Sequence, residues 1–128
     1  KLNYDSDYLK FKTKILGIHK NEIIKKEYNV NVITLSSYIN DNISSDIDVI
    51  KIDVEGHEYE CLRGLFNTSL DTNIHLIQLE HHNDDMYKNS ISFNQINDIL
   101  NKNNFELIER FKHAFGEFED LLYKNKMI

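Results

Sequence analysis

The stretch from Asp48 to Val54, Asp-Val-Ile-Lys-Ile-Asp-Val, is almost continuous in β-branched residues and is stopped by Glu55-Gly56. Branched side chains favour extended backbone, and a run with little polar alternation suits a strand buried on both faces, the central position of a parallel sheet. Parallel strands need a crossover, and the chain supplies one. From His57 to about Phe66, Tyr59, Leu62 and Phe66 recur at helical spacing. Ile74 to Leu79 follows as a second strand of the buried kind, and Glu80 to Asp85 reads as a polar loop. Phe93, Ile96, Ile99 and Leu100 mark an amphipathic helix, with Ser92 placed to cap it and Gln95 three residues on. Phe105 to Phe111 and Asp120 to Tyr123 read as strands, separated by a loop that contains Gly116. This order predicts an α/β fold: parallel strands with helices on both faces of the sheet, ending in an antiparallel closing pair. The strands at 48–54, 74–79 and 105–111 are expected to be neighbours, the first two parallel.

Upstream the pattern is weaker. Lys14 to Ile18 reads as a short strand, and Val30, Val32 and Ile33 form a β-branched run ending at Thr34-Leu35. Ser36 to Ile39 reads as a capped helical turn and Asn40 to Asp46 as a polar linker. A chain of 128 residues with 41% hydrophobic content allows one domain with a real core and not two. The net charge of -6 argues against a nucleic-acid partner, which calls for a basic stripe. The lysine-rich run from Lys10 to Lys26 is interrupted by Glu22 and reads as solvated surface. Cys61 is the single cysteine, so an intramolecular disulfide is excluded, and its place beside Leu62 suggests packing. No apolar run approaches the roughly 20 residues of a membrane span, so no membrane partner is expected and a cytoplasmic location is the default. The first residue is Lys1 and not Met, so a boundary, introduced or natural, is expected just before it.

The chemistry gathers in two places. Lys51-Ile-Asp-Val-Glu-Gly-His-Glu58 puts Asp53 at the C-terminal end of the first strand, where open α/β sheets hold their ligands. Gly56 permits a sharp turn into the helix, while Glu55 and Glu58 can answer the exposed N–H groups and positive dipole end of that helix. A capped helix start without chemistry accounts for the same residues. The second place is Glu80-His81-His82-Asn83-Asp84-Asp85, which follows the neighbouring strand. Imidazoles there can exchange protons near neutral pH, and Asp53, Glu80 and His82 together also resemble a divalent-ion set. Solvated histidines in a polar loop are the plain alternative.

Thr34-Leu35, then Asp48 to Glu58, then Glu60-Cys-Leu-Arg-Gly64, Ile77-Gln-Leu-Glu80, Leu100 to Phe105 and Asp120-Leu-Leu-Tyr123 fall in the order seen in a known family. The chain resembles the FkbM-type S-adenosylmethionine-dependent methyltransferases, over about Val32 to Lys124. The resemblance implies the C-terminal half of a Rossmann-like class I methyltransferase sheet. It makes 1–128 a single partial domain, with 1–30 a poorly defined lead-in and 31–126 the family-like core. It further implies S-adenosylmethionine as cofactor and O-methyl transfer to a glycan or other small hydroxyl compound. Asp53, Glu80 and His82 would be catalytic. Asp53 and Glu55 would face the donor, and Glu55, His57, Glu80 and His81 the acceptor. No metal is implied. In the family the preceding half supplies a glycine-rich loop and then an acidic residue for the donor. Here the glycines stand at 17, 56, 64 and 116 with no Gly-x-Gly, so the donor half is expected to lie outside this sequence and the isolated chain to be inactive. The strand at 48–54 would then need a partner at its open edge, from a missing N-terminal half or from a homo-oligomer. Two other functions remain open at this point. One is a non-catalytic remnant or binding module with the same fold, the other a small metal-dependent hydrolase.

Overall fold

A computed structural model describes residues 3–18, 28–87, 91–114 and 117–128. The elements follow in the order α1 (Asp7–Ile15), α2 (Leu35–Asn42), β1 (Ile47–Ile52), α3 (Glu58–Leu65), β2 (Ile74–His82), α4 (Phe93–Lys102), β3 (Phe105–Lys112) and β4 (Phe118–Asn125). The loop position Gly116 and much of the lysine-rich run lie outside the described residues.

The four strands form one sheet in the order β1-β2-β4-β3. β1 and β2 are parallel, with Ile50 opposite Ile77 and Ile52 opposite Leu79. β4 runs antiparallel to both β2 and β3. The expected parallel pair and the expected antiparallel closing pair are therefore present. The expected adjacency of 105–111 to 74–79 is not, because the last strand inserts between them and takes up the hydrogen-bonding edges of both.

One core lies on one face of this sheet. Ile52, Ile77, Leu79, Leu121 and Tyr123 from the strands meet Ile39 of α2, Leu62 and Leu65 of α3, and Ile96 and Leu100 of α4. α3 buries Glu58, Leu62 and Leu65 rather than the Tyr59 stripe anticipated, a rotation of its inner face by part of a turn. Helices on both faces were expected; among the described residues α2, α3 and α4 all feed this single core. The opposite face carries Lys51, Gln78, Glu80, His82 and Asp120, and it is half-buried to exposed. β1 is likewise not buried on both faces. Asp48, Val49 and Lys51 are exposed, and no described strand pairs with its outer edge.

The remaining differences have local causes. The segment read as a strand at 14–18 is the end of α1 and a turn through Gly17 at φ +66°. Ser6 caps α1 by accepting from Leu9 N, Asp7 lies in its first turn and Lys12 and Lys14 in its last, all of which favour helix over a weak alternation. The run around Val32 forms no strand and is exposed. Thr34 caps α2, which continues through the supposed linker to Asn42. At α4 the capping box is complete: Ser92 accepts from Gln95 N, and the Gln95 side chain accepts from Ser92 N.

β2 extends to His82, three residues beyond the strand read from the sequence. Glu80, His81 and His82 pair with Asp120, Glu119 and Phe118 of β4. The supposed polar loop is thus ladder. The period of two then places Glu80 and His82 on one face of the sheet and His81 on the other.

Candidate functional site

The turn from β1 into α3 is built by a buried carboxylate. Glu55 and Gly56 have φ of +55° and +90°, a conformation natural for glycine and strained for glutamate. Val54 N and Gly56 N both donate to Glu58 Oε1, at 3.4 and 3.1 Å. Glu58 is 8% exposed and ties down the turn before the helix, while the N-cap residue His57 makes no side-chain cap bond. Gly56 also packs against Tyr87 so closely that a Cβ there would lie 2.6 Å from Tyr87 Cγ.

Asp53, just beyond β1, is exposed, and its carboxylate lies 3.0 Å from Lys51 Nζ. The hydrogen bond to Asp53 holds the Lys51 ammonium above its ordinary range, with smaller help from the charges of Asp120 and Glu80 across the same face. Glu55 and His57 are exposed at the same end, with His57 Nδ1 3.8 Å from Glu60 Oε2.

At the end of β2, His82 is clasped. Its Nε2 lies 2.7 Å from Glu80 Oε1 and its Nδ1 3.3 Å from Asp84 Oδ2. The side chain is 8% exposed, with Phe118 stacked on it at 5.4 Å and Tyr87 edge-on at 4.9 Å. His113 stacks on Phe118 at 4.3 Å, and its Nε2 lies 2.9 Å from Asp120 Oδ2. Two histidine–carboxylate pairs are thus joined through one phenyl ring. Filling both contacts of His82 with hydrogen bonds requires a proton on each ring nitrogen, or a proton on one carboxyl.

His81 points to the core face instead. It is buried, its ring is 6.3 Å from that of Phe93, and it makes no side-chain hydrogen bond among the described residues. Desolvation holds its pKa below the usual imidazole range, partly offset by Glu119. Glu119 is 1% exposed and accepts from Arg110 Nε at 2.9 Å, from Arg110 Nη2, and from Asn83 Nδ2 at 3.2 Å. The Arg110 guanidinium lies over the Phe93 ring at 4.5 Å and holds the Glu119 carboxyl below its ordinary range.

These two regions meet. A small, partly open cavity of about 10 Å³ has Gly56, Glu58 and Tyr59 on one side and His81, His82 and Tyr87 on the other. Its size suits roughly one water molecule. A wider, open and mainly apolar groove of about 770 Å³ runs beside β1, between Val32, Ile33, Tyr38, Ile50, Ile52 and Val54. Among the described residues no His, Cys, Asp and Glu group is placed to hold a metal ion. Glu80 and Asp84 reach opposite nitrogens of His82, so they do not converge on one point.

A family model for the methyltransferase FkbM domain matches residues 3–107. The chain belongs to the FkbM methyltransferase family. The match takes in α1 and ends within β3. The parallel β1–β2 pair with its antiparallel continuation is the arrangement expected of this family's Rossmann-like fold, and S-adenosylmethionine is its cofactor. Among solved structures, magnesium protoporphyrin IX methyltransferase from Synechocystis PCC 6803, with bound SAM, is similar at a TM-score of 0.48 and 15% identity. The alignment covers 66% of this chain and 42% of that one, so the FkbM chain spans less than half the length of that enzyme. No curated protein matches.

Of the sequence-derived site residues, His81 and His82 line the small cavity, and Glu80 is bonded to His82. Asp53, Glu55 and His57 stand outside it, exposed at the end of β1. Sequence reasoning placed Glu58 at the helix start but did not make it a cavity wall. It passed over Tyr87 and Phe118 and found no partner for His113, because nothing local marks a residue whose partners lie on other strands. Asp84 was visible only as part of an acidic run.

Proposed function

We propose that this FkbM chain is the acceptor-side half of an S-adenosylmethionine-dependent O-methyltransferase acting on a glycan or other small hydroxyl compound. The reading rests on the meeting of the Gly56–Glu58 turn with the His81–His82 end of β2 around one small cavity. The cofactor supplies a methyl group carried on a cationic sulfonium. Asp53 and Glu55, exposed anions at the end of β1, are suited to the polar and cationic parts of that donor, and the apolar groove beside β1 to a further wall. Glu80 and His82 offer the acceptor a carboxylate and an imidazole on the sheet face opposite the core, where both are largely covered.

Methylation of a hydroxyl releases its proton, which must pass to a base. Of the two adjacent histidines, His82 lies on the same sheet face as Glu80, with its Nε2 2.7 Å from Glu80 Oε1, so it is the imidazole that an acceptor bound there meets. His81 is buried on the core face, away from such an acceptor. The metal-dependent hydrolase reading has no centre to rest on among the described residues.

In this reading the glycine-rich donor loop belongs to a partner half that docks at the open edge of β1. Calorimetry with a donor analogue on this chain should show weak binding or none, while a longer form carrying such a loop binds and transfers methyl to a hydroxyl acceptor. Micromolar binding by the chain alone would overturn the assignment of the donor loop elsewhere. In the longer form, Asp53→Asn and Glu80→Gln should reduce turnover while leaving the melting temperature nearly unchanged. The opposite pattern would leave Asp53 a purely structural residue.

Glu55 gives an independent check. A glutamate held at φ +55° is strained, so Glu55→Gly should stabilise the fold by about 1 kcal/mol in denaturant titration. The same change should weaken donor binding in the longer form. Stabilisation without any loss of donor binding would remove Glu55 from the site.

A further inference from the structure

The segment at 83–87 touches three parts of the molecule that are distant in sequence. Asp84 uses one oxygen to contact His82 Nδ1 and the other to accept from Met86 N at 2.8 Å. Asp85 accepts from Ser6 Oγ at 2.6 Å and from Asp7 N at 3.2 Å, so it anchors the first turn of α1. Asn3 completes that anchor, donating from N to Met86 O at 2.7 Å and from Nδ2 to Asp85 O at 3.0 Å. Tyr87, 4% exposed, lies with its ring against Gly56 on one side and edge-on to the His82 ring on the other.

From this juxtaposition we propose that Tyr87 is a positioning residue that couples the Glu55–Gly56 turn to His82, and that α1 holds it in place through Asp85. The proposal rests on the site reading above, since His82 and the turn are its two sides there. The physical basis is packing. A glycine with no room for a methyl group leaves the Tyr87 ring no slack on that side, and His82 is pinned by two carboxylates and Phe118 on the other. A displacement of the turn therefore passes to the imidazole through one rigid ring. The contacts that carry the coupling are those of the Tyr87 side chain with Gly56 and with the His82 ring. The anchor of α1 is polar and rests on Ser6, Asp85 and Asn3, with Phe11 and Ile15 left exposed, so it can be released without opening the core.

The test is nuclear magnetic resonance of the full chain, reading the His82 ring protons, the Gly56 amide and the α1 amides. Activity is not needed, so a failure of the coupling stays separate from a failure of the methyltransferase reading. Tyr87→Leu should abolish the ring-current shift that Tyr87 imposes on His82 and move the Gly56 amide, whereas Tyr87→Phe should keep both near wild type. Gly56→Ala should shift the His82 ring in the wild-type background and lose that effect when Tyr87 is leucine. Asp85→Ala should move the His82 and Gly56 signals together with the loss of α1 helicity. Should Tyr87→Leu fail to fold, the response of His82 to Gly56→Ala in the Tyr87→Phe background still decides the matter. A Gly56→Ala shift at His82 that persists with leucine at 87, or no shift at His82 at all, overturns the coupling. Melting of α1 with the His82 signals unmoved overturns the part assigned to Asp85.

Discussion

Gly56→Ala is expected to destabilise the fold by about 3–4 kcal/mol. A left-handed conformation costs an alanine roughly 1–3 kcal/mol, and forcing a methyl group into a closed contact costs about as much again. Both conditions hold at this position: φ is +90°, and the added carbon would sit 2.6 Å from Tyr87 Cγ and 2.7 Å from its Cβ. Because the atoms met first are at the base of the tyrosine, the side chain cannot rotate away from them. In thermal unfolding this corresponds to a fall of roughly 10 °C for a domain of this size. Gly17 is the internal control. It also has positive φ, +66°, but nothing lies within 4 Å of its added carbon, so Gly17→Ala should show only the backbone penalty. Equal losses at the two positions would show that the Tyr87 contact is not tight.

Arg110→Ala is the second large effect, about 3 kcal/mol. It leaves Glu119, 1% exposed, with Asn83 as its one remaining side-chain donor among the described residues. Removing one partner of a buried pair costs about 3–5 kcal/mol because the other charge stays desolvated, and the low end applies here because the Arg110 side chain is 40% exposed. The pH dependence follows from the Glu119 carboxyl, which Arg110 holds below its ordinary value of 4.5. A folded-state pKa below the unfolded one means that the unfolded chain binds the proton more readily. The stabilisation is therefore present above the unfolded value and is lost as pH falls through the folded one. Denaturant titrations from neutral pH to below 4 should show wild type losing stability on acidification. In Arg110→Ala that loss should be smaller or reversed, since protonation now relieves a buried charge. An unchanged acid slope would show that Arg110 and Glu119 are not coupled in solution.

How far such features were legible beforehand depended on whether their cause is local. The β-branched run around Ile50 fixes an extended conformation by side-chain sterics alone, and β1 and β2 were found where they were expected. The Ser92–Gln95 box and the stripe through Ile96 and Leu100 are likewise contained within one helix, and α4 begins at Phe93 as read. The Lys-Ile-Asp-Val-Glu-Gly motif carries a turn that needs glycine for its own backbone, and it marked both the family and one side of the candidate site.

What the sequence determined by itself is the kind of each well-patterned element, the glycine turn and membership of a methyltransferase family. Only the tertiary structure decided which strands adjoin, where β2 ends and which way its last residues face. β4 enters between β2 and β3 because edge hydrogen bonds are satisfied by backbone groups, which carry no sequence signature. Its pairing at 118–120 draws Glu80, His81 and His82 into the ladder, and a period of two then sends the adjacent histidines to opposite faces. The role of each imidazole follows from that division. His82 meets Glu80, Asp84, Phe118 and Tyr87, while His81 meets the core, and none of these environments can be read from two neighbouring letters in a polar run.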